Sequence, residues 1–114
     1  MFSKRERIIK KSVKATAAAF KNRTPKIIMH LFYGAVDISP QNLVVWYVLE
    51  KDADLEAAKA SGLCSEIKKE TINNLISNGY PQEALKTDEK ETVFFTTQED
   101  VDRKADGDYR LYFQ

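Results

Sequence analysis

Few residues in this chain could do chemistry, and the single histidine, His30, comes first. It stands in the apolar run Ile27-Ile28-Met29-His30-Leu31-Phe32-Tyr33, where a shifted pKa would suit a general base, with Tyr33 or Tyr47 as neighbours. No partner stands at a diagnostic spacing, so a core or edge histidine hydrogen-bonded to backbone is the expectation. Cys64 follows Gly62-Leu63 near a possible helix start, where a thiolate would be stabilised, but no second cysteine or histidine motif accompanies it, and plain packing is expected. The acidic cluster Glu99, Asp100, Asp102, Asp106 and Asp108 invites a calcium reading. Set on an EF-hand loop from Asp100, it puts Lys104 at the third ligand position and Ala105 where glycine is needed, so it fails. These acids are read as helix-start and turn residues. The four glycines, Gly34, Gly62, Gly79 and Gly107, are isolated, which leaves no phosphate-binding loop. No catalytic residue, metal or cofactor is implied.

A second feature is charge. The net charge of +1 hides an asymmetry: residues 1–26 hold nine Lys/Arg against one acid, or +8, and the remainder nine against sixteen, or −7. Lys4, Arg5, Arg7, Lys10, Lys11 and Lys14 lie on one predicted helix. Such a helix suits nucleic-acid phosphate or an anionic membrane surface. The preferred reading is a solvated face, its charges partly neutralised by the acidic body and its apolar stripe covering the sheet. A stacking platform from Tyr33, Trp46, Tyr47, Phe94, Phe95, Tyr109 and Tyr112 lacks any RNP-like pattern, and aromatic strands usually belong to a core.

The element meant to position these groups is a hairpin over residues 26–50. Ile27 to Val36 and Leu43 to Leu49 are β-branched and aromatic, with the turn formers Asp37 to Asn42 between them. Period two sets Ile27, Met29, Leu31 and Tyr33 against Ile28, His30, Phe32 and Val36 on strand one, and Leu43, Val45, Tyr47 and Leu49 against Val44, Trp46 and Val48 on strand two. Both faces are apolar, so both need cover.

Ser3 and Glu6 form a capping-box pattern ahead of Ile9, Val13, Ala17 and Phe20, which predicts an amphipathic helix over residues 4–21. After the hairpin, a helix starting at Asp52 or Asp54 breaks at Gly62, and another runs from Ser65 to Ser77 before Asn78-Gly79 and Pro81. A turn over Gln82 to Lys86 and a charged loop Thr87-Asp88-Glu89-Lys90 lead to a third strand, Thr92 to Thr96. Thr97 caps a short helix to Ala105. Tyr109, Leu111 and Phe113 alternate with Arg110 and Tyr112, predicting a fourth strand.

With 114 residues, 43% hydrophobic and 31% charged, one domain spanning 1–114 is expected, able to bury roughly two-thirds of its unfolded surface. The expected fold is α+β with a mainly antiparallel four-stranded sheet, in the order α-β-β-α-β-α-β. A lone cysteine, no signal-peptide core and no apolar run of spanning length point to a cytoplasmic protein. The leading functional expectation is a protein-binding or regulatory module acting through a sheet face or edge, on a protein partner or a second copy. One alternative is a nucleic-acid or anionic-membrane surface binder using the basic helix. Another is a small enzyme using His30, and the binding residues expected across these readings are the six basic residues with His30, Tyr33, Trp46 and Tyr47.

Overall fold

The expected capping box closes the first helix. Ser3 N–H donates to Glu6 Oε1 at 3.0 Å and Glu6 N–H to Ser3 Oγ at 3.1 Å, which satisfies two donors that a helix start leaves orphaned. A computed structural model of the chain describes residues 2–85 and 91–114. Its elements are α1 (Lys4–Ala19), β1 (Met29–Tyr33), β2 (Val44–Leu49), α2 (Asp52–Ser61), α3 (Leu63–Ser77), β3 (Val93–Thr97), α4 (Gln98–Ala105) and a one-turn α5 (Tyr109–Tyr112). Short 3-10 turns cover Pro40–Asn42 and Gln82–Leu85. The charged loop expected at 87–90, and Lys86 before it, lie outside the described residues.

The domain is α+β, but the expected sheet is wrong in two respects. Among the described residues it has three strands in the order β1-β2-β3, and it is mixed: β1 pairs antiparallel with β2, while β2 pairs parallel with β3. The element order is α-β-β-α-α-β-α. Two helices, α2 and α3, lie between β2 and β3 and return the chain to the end where β2 began, which permits parallel pairing. The break between them is at Gly62, as expected, with φ of +85° in the left-handed region that costs glycine little.

The fourth strand is a helix because Tyr109, Tyr112 and Phe113 also satisfy the i, i+3, i+4 spacing of a helical face. Asp108 then decides the matter locally: its carboxylate accepts from the N–H groups of Arg110 at 2.9 Å and Leu111 at 3.4 Å, capping the turn. Pairing partners share a face of the sheet. One face therefore carries His30, Phe32, Val45, Tyr47, Val93 and Phe95, and the other Leu31, Tyr33, Trp46, Val48, Phe94 and Thr96. The first is covered by α1 and α3, whose Ile9, Val13, Ile67 and Leu75 join Val45, Tyr47 and Leu49 in the main core. Over β2 and β3 the second is covered by α4 and α5: Phe113 stands 5.2 Å from the Trp46 ring, itself stacked on Phe94, and Val48, Val101 and Ala105 are buried.

A polar network ties this second layer down. Thr97 Oγ1 accepts from Asp100 N–H at 3.0 Å, the expected cap, and donates to Asp52 at 2.5 Å. The Tyr112 hydroxyl donates to Asp100, which also takes Arg103 at 2.5 Å and Lys104 at 3.2 Å. The Tyr112 hydroxyl first, then Arg103 and Lys104, hold the Asp100 carboxyl down at about 2. A carboxyl depressed below its unfolded value, near 4, stabilises the fold fully above that value and loses the contribution as pH falls toward 2. Denaturant melts should therefore show Asp100→Asn less stable than wild type at pH 6, with the gap closing toward pH 2; a gap independent of pH would refute this.

Candidate interaction site

The site begins with the direction of backbone groups on β1. Val45 N–H donates to the carbonyl of Thr92 at 2.8 Å, so Val45 faces β3, whereas the carbonyl of Val48 accepts from Ile28 N–H at 2.8 Å and faces β1. Successive residues of a strand turn their N–H and C=O to opposite sides. Val44, Trp46 and Val48 therefore face β1, where their register partners are Tyr33, Leu31 and Met29. The N–H and C=O of His30 and Phe32 are left on the outer edge, where among the described residues no strand pairs with them.

Sheet edges are ordinarily guarded by lysine, proline, a bulge or a covering element. Met29-His30-Leu31-Phe32-Tyr33 carries neither lysine nor proline. Between this edge and α1 runs a groove of about 500 Å³, lined by Phe2, Glu6, Lys10, Val13 and the residues from His30 to Gly34. Phe2 lies 6.5 Å from the Phe32 ring, and Lys10 Nζ sits 4.7 Å from the Phe2 ring centroid. Glu6 is held by its capping box, so its carboxylate is engaged along one side.

The expected binding residues divide among five places. Lys10, His30 and Tyr33 meet at the groove. Lys4, Arg7, Lys11 and Lys14 stand on the exposed side of α1, with Lys14 close enough to act on His30. Arg5 is half-buried and donates to the carbonyl of Val36 at 2.9 Å, which ties α1 to the β1–β2 connection. None of the six forms an ion pair among the described residues, so the expected neutralisation by the acidic body is not found in the ion pairs of the fold. Tyr47 is fully buried, its hydroxyl 2.7 Å from Thr71 Oγ1. Trp46 is on the opposite face and donates from Nε1 to the Tyr33 hydroxyl at 3.1 Å.

His30 is an exposed edge residue with its ring 6.4 Å from Tyr47, edge-on at 61°. Partial burial of the ring, then the charge of Lys14, push its pKa down. Among the described residues no side chain hydrogen-bonds to its imidazole. Cys64 is half-buried, and burial pushes its thiol up, against the pull of Lys59, which disfavours the thiolate. No group of metal-ligating side chains comes together among the described residues, and no helix there is long and apolar enough to cross a membrane.

The backbone direction of β1 was missed in the sequence because it depends on which neighbour each residue of β2 bonds to. Phe2 was missed as well, since it precedes the helix and gains meaning only through Phe32. Together these features define a small α+β domain in which the outer edge of β1 lies beside a cationic helix. No family model, curated protein or solved structure matches the chain.

Proposed function

We propose that the protein is a binding module that takes an extended segment of another protein onto the outer edge of β1, adding it to the sheet as a further strand. The observation that carries this reading is the unguarded edge: the N–H and C=O of His30 and Phe32 face outward along a strand without lysine or proline, beside a groove with apolar walls. Main-chain hydrogen bonds would supply affinity, and the groove would take alternate side chains of the added segment. The helices over both sheet faces favour the edge over a face.

A second copy is the less suitable occupant. Antiparallel edge-to-edge pairing continues a sheet about a two-fold axis normal to it, which places both copies of α1 on the same face. Their lysines would then approach one another without counter-charges, and like-charge juxtaposition opposes association.

The test uses proline on an outward N–H. His30→Pro removes one edge donor without removing a bond of the β1–β2 ladder, a position where strands tolerate proline. His30→Ala keeps the donor and removes the imidazole. Decapeptides selected on the wild-type protein from a displayed random library should bind His30→Ala and lose at least about tenfold on His30→Pro, since a hydrogen bond is worth about 1 kcal/mol and register is lost with it. Should His30→Pro fail to fold, alternate N-methylation of a selected peptide repeats the test from the other side. Failure to enrich any peptide, or binding indifferent to both changes, would refute strand addition.

A further inference from the structure

We infer that the segment received at the β1 edge is acidic. This rests on the strand-addition reading and adds the chemistry of the partner. The exposed side of α1 presents Lys4, Arg7, Lys10, Lys11 and Lys14 within four turns, and among the described residues none of them is ion-paired. The ion pairs among the described residues join Arg23 to Glu66, Lys68 to Glu91, and Arg103 and Lys104 to acids of α2 and α4, and none of them involves a residue of α1. Such a concentration of unpaired charge on the outer side of α1 raises the local concentration of anionic groups and steers them to this face.

The position of the charge matters as much as its amount. Lys10 is part of the groove wall, and Lys14 acts electrostatically on His30, whose backbone faces the open edge. A strand laid on that edge would carry alternate side chains on the face where α1 lies. Asp or Glu at such positions would meet Lys10 and Lys14, and an apolar residue at another position of the same alternate set would meet Phe2, Phe32 and Val13. A nucleic-acid strand has no alternating amide donors and acceptors to match the outward backbone groups of His30 and Phe32. Charge complementarity together with the backbone edge therefore favours an acidic peptide over nucleic acid.

The test reads the charge of the decapeptides that the wild-type protein selects. Enriched sequences should be rich in Asp and Glu with one or two apolar residues. Their binding should weaken between 50 and 500 mM salt and fall about five- to tenfold on the double change Lys10→Gln with Lys14→Gln, the sum of two exposed ion pairs. Neutral or basic enriched peptides that still lose affinity on His30→Pro would overturn the acidic partner and leave strand addition standing. Enrichment of nothing would remove both. Competition by a single-stranded 12-mer RNA or by anionic vesicles at physiological salt, to the same degree as by unlabelled peptide, would overturn the inference in favour of a phosphate-bearing partner.

Discussion

Replacing Ile9 by alanine is expected to destabilise the domain by about 2–5 kcal/mol, while replacing Lys10, Lys11 and Lys14 together by glutamine should leave stability within about 1 kcal/mol. The contrast separates the two sides of α1. Ile9 is fully buried among Val13, Tyr47 and Leu75, where a deleted side chain leaves a cavity that packed neighbours fill only in part. The α1–α3 contact beside it is held by small polar residues. Ser12 Oγ donates to the Ile8 carbonyl at 2.7 Å and to that of Asn74 at 3.2 Å, and Asn74 Nδ2 donates to Thr16 Oγ1 at 2.9 Å. Such short side chains let the helices approach closely, so there is little freedom to collapse into a void. The three lysines are exposed and without ion pairs among the described residues, and removing them takes away only the exposed contact of Lys10 with the Phe2 ring. Guanidinium melts of the two variants check this. A loss of stability in the lysine variant comparable to that of Ile9→Ala would show that the charges serve the fold and not a partner.

Gly34→Ala should also be severe, by about 2–4 kcal/mol, and more severe than Gly79→Ala. Both glycines have positive φ, +124° at Gly34 and +103° at Gly79, so both variants carry backbone strain. They differ in what the new methyl group meets. At Gly34 it would lie 2.4 Å from the carbonyl oxygen of Asn42, a backbone atom on the turn that enters β2, whereas at Gly79 its nearest neighbour is Ile8 Cδ1 at 3.8 Å, an ordinary contact. Relieving the clash means pushing β1 away from the turn at its end, which disturbs the edge and the groove that Gly34 helps to line. The measurement is the difference between the two variants in denaturant, together with retention of selected peptide. Equal losses at the two positions would mean that the β1–β2 connection yields without cost.

Much of the architecture was legible because it rests on local rules. Ser3 with Glu6 and Thr97 ahead of Asp100 are caps that satisfy orphan donors within four residues, and both helices start where those patterns place them. The left-handed break at Gly62 follows from a residue without a Cβ. The division of β1 and β2 into two side-chain sets follows from the two-residue period of any strand, and the register retains it. That both apolar faces needed cover was likewise evident from composition, and α1 and α3 on one side with α4 and α5 on the other provide it over β2 and β3.

What the tertiary structure alone decided is where these pieces meet. The aromatic run near the C-terminus satisfies two periods at once, and Asp108 with the Trp46, Phe94 and Thr96 surface selects the helix. Parallel pairing of β3 depends on how far α2 and α3 carry the chain, a long-range outcome that no window of sequence contains. His30, Tyr33, Trp46 and Tyr47 look alike as neighbours in a hairpin, yet the pleat sends Tyr47 into the core, Trp46 to the opposite layer, and His30 to an open edge beside α1. The groove exists because two segments distant in sequence, the start of α1 and the whole of β1, approach without closing on each other. The charge of α1 was readable from composition; that it stands beside an unpaired strand edge is a consequence of packing.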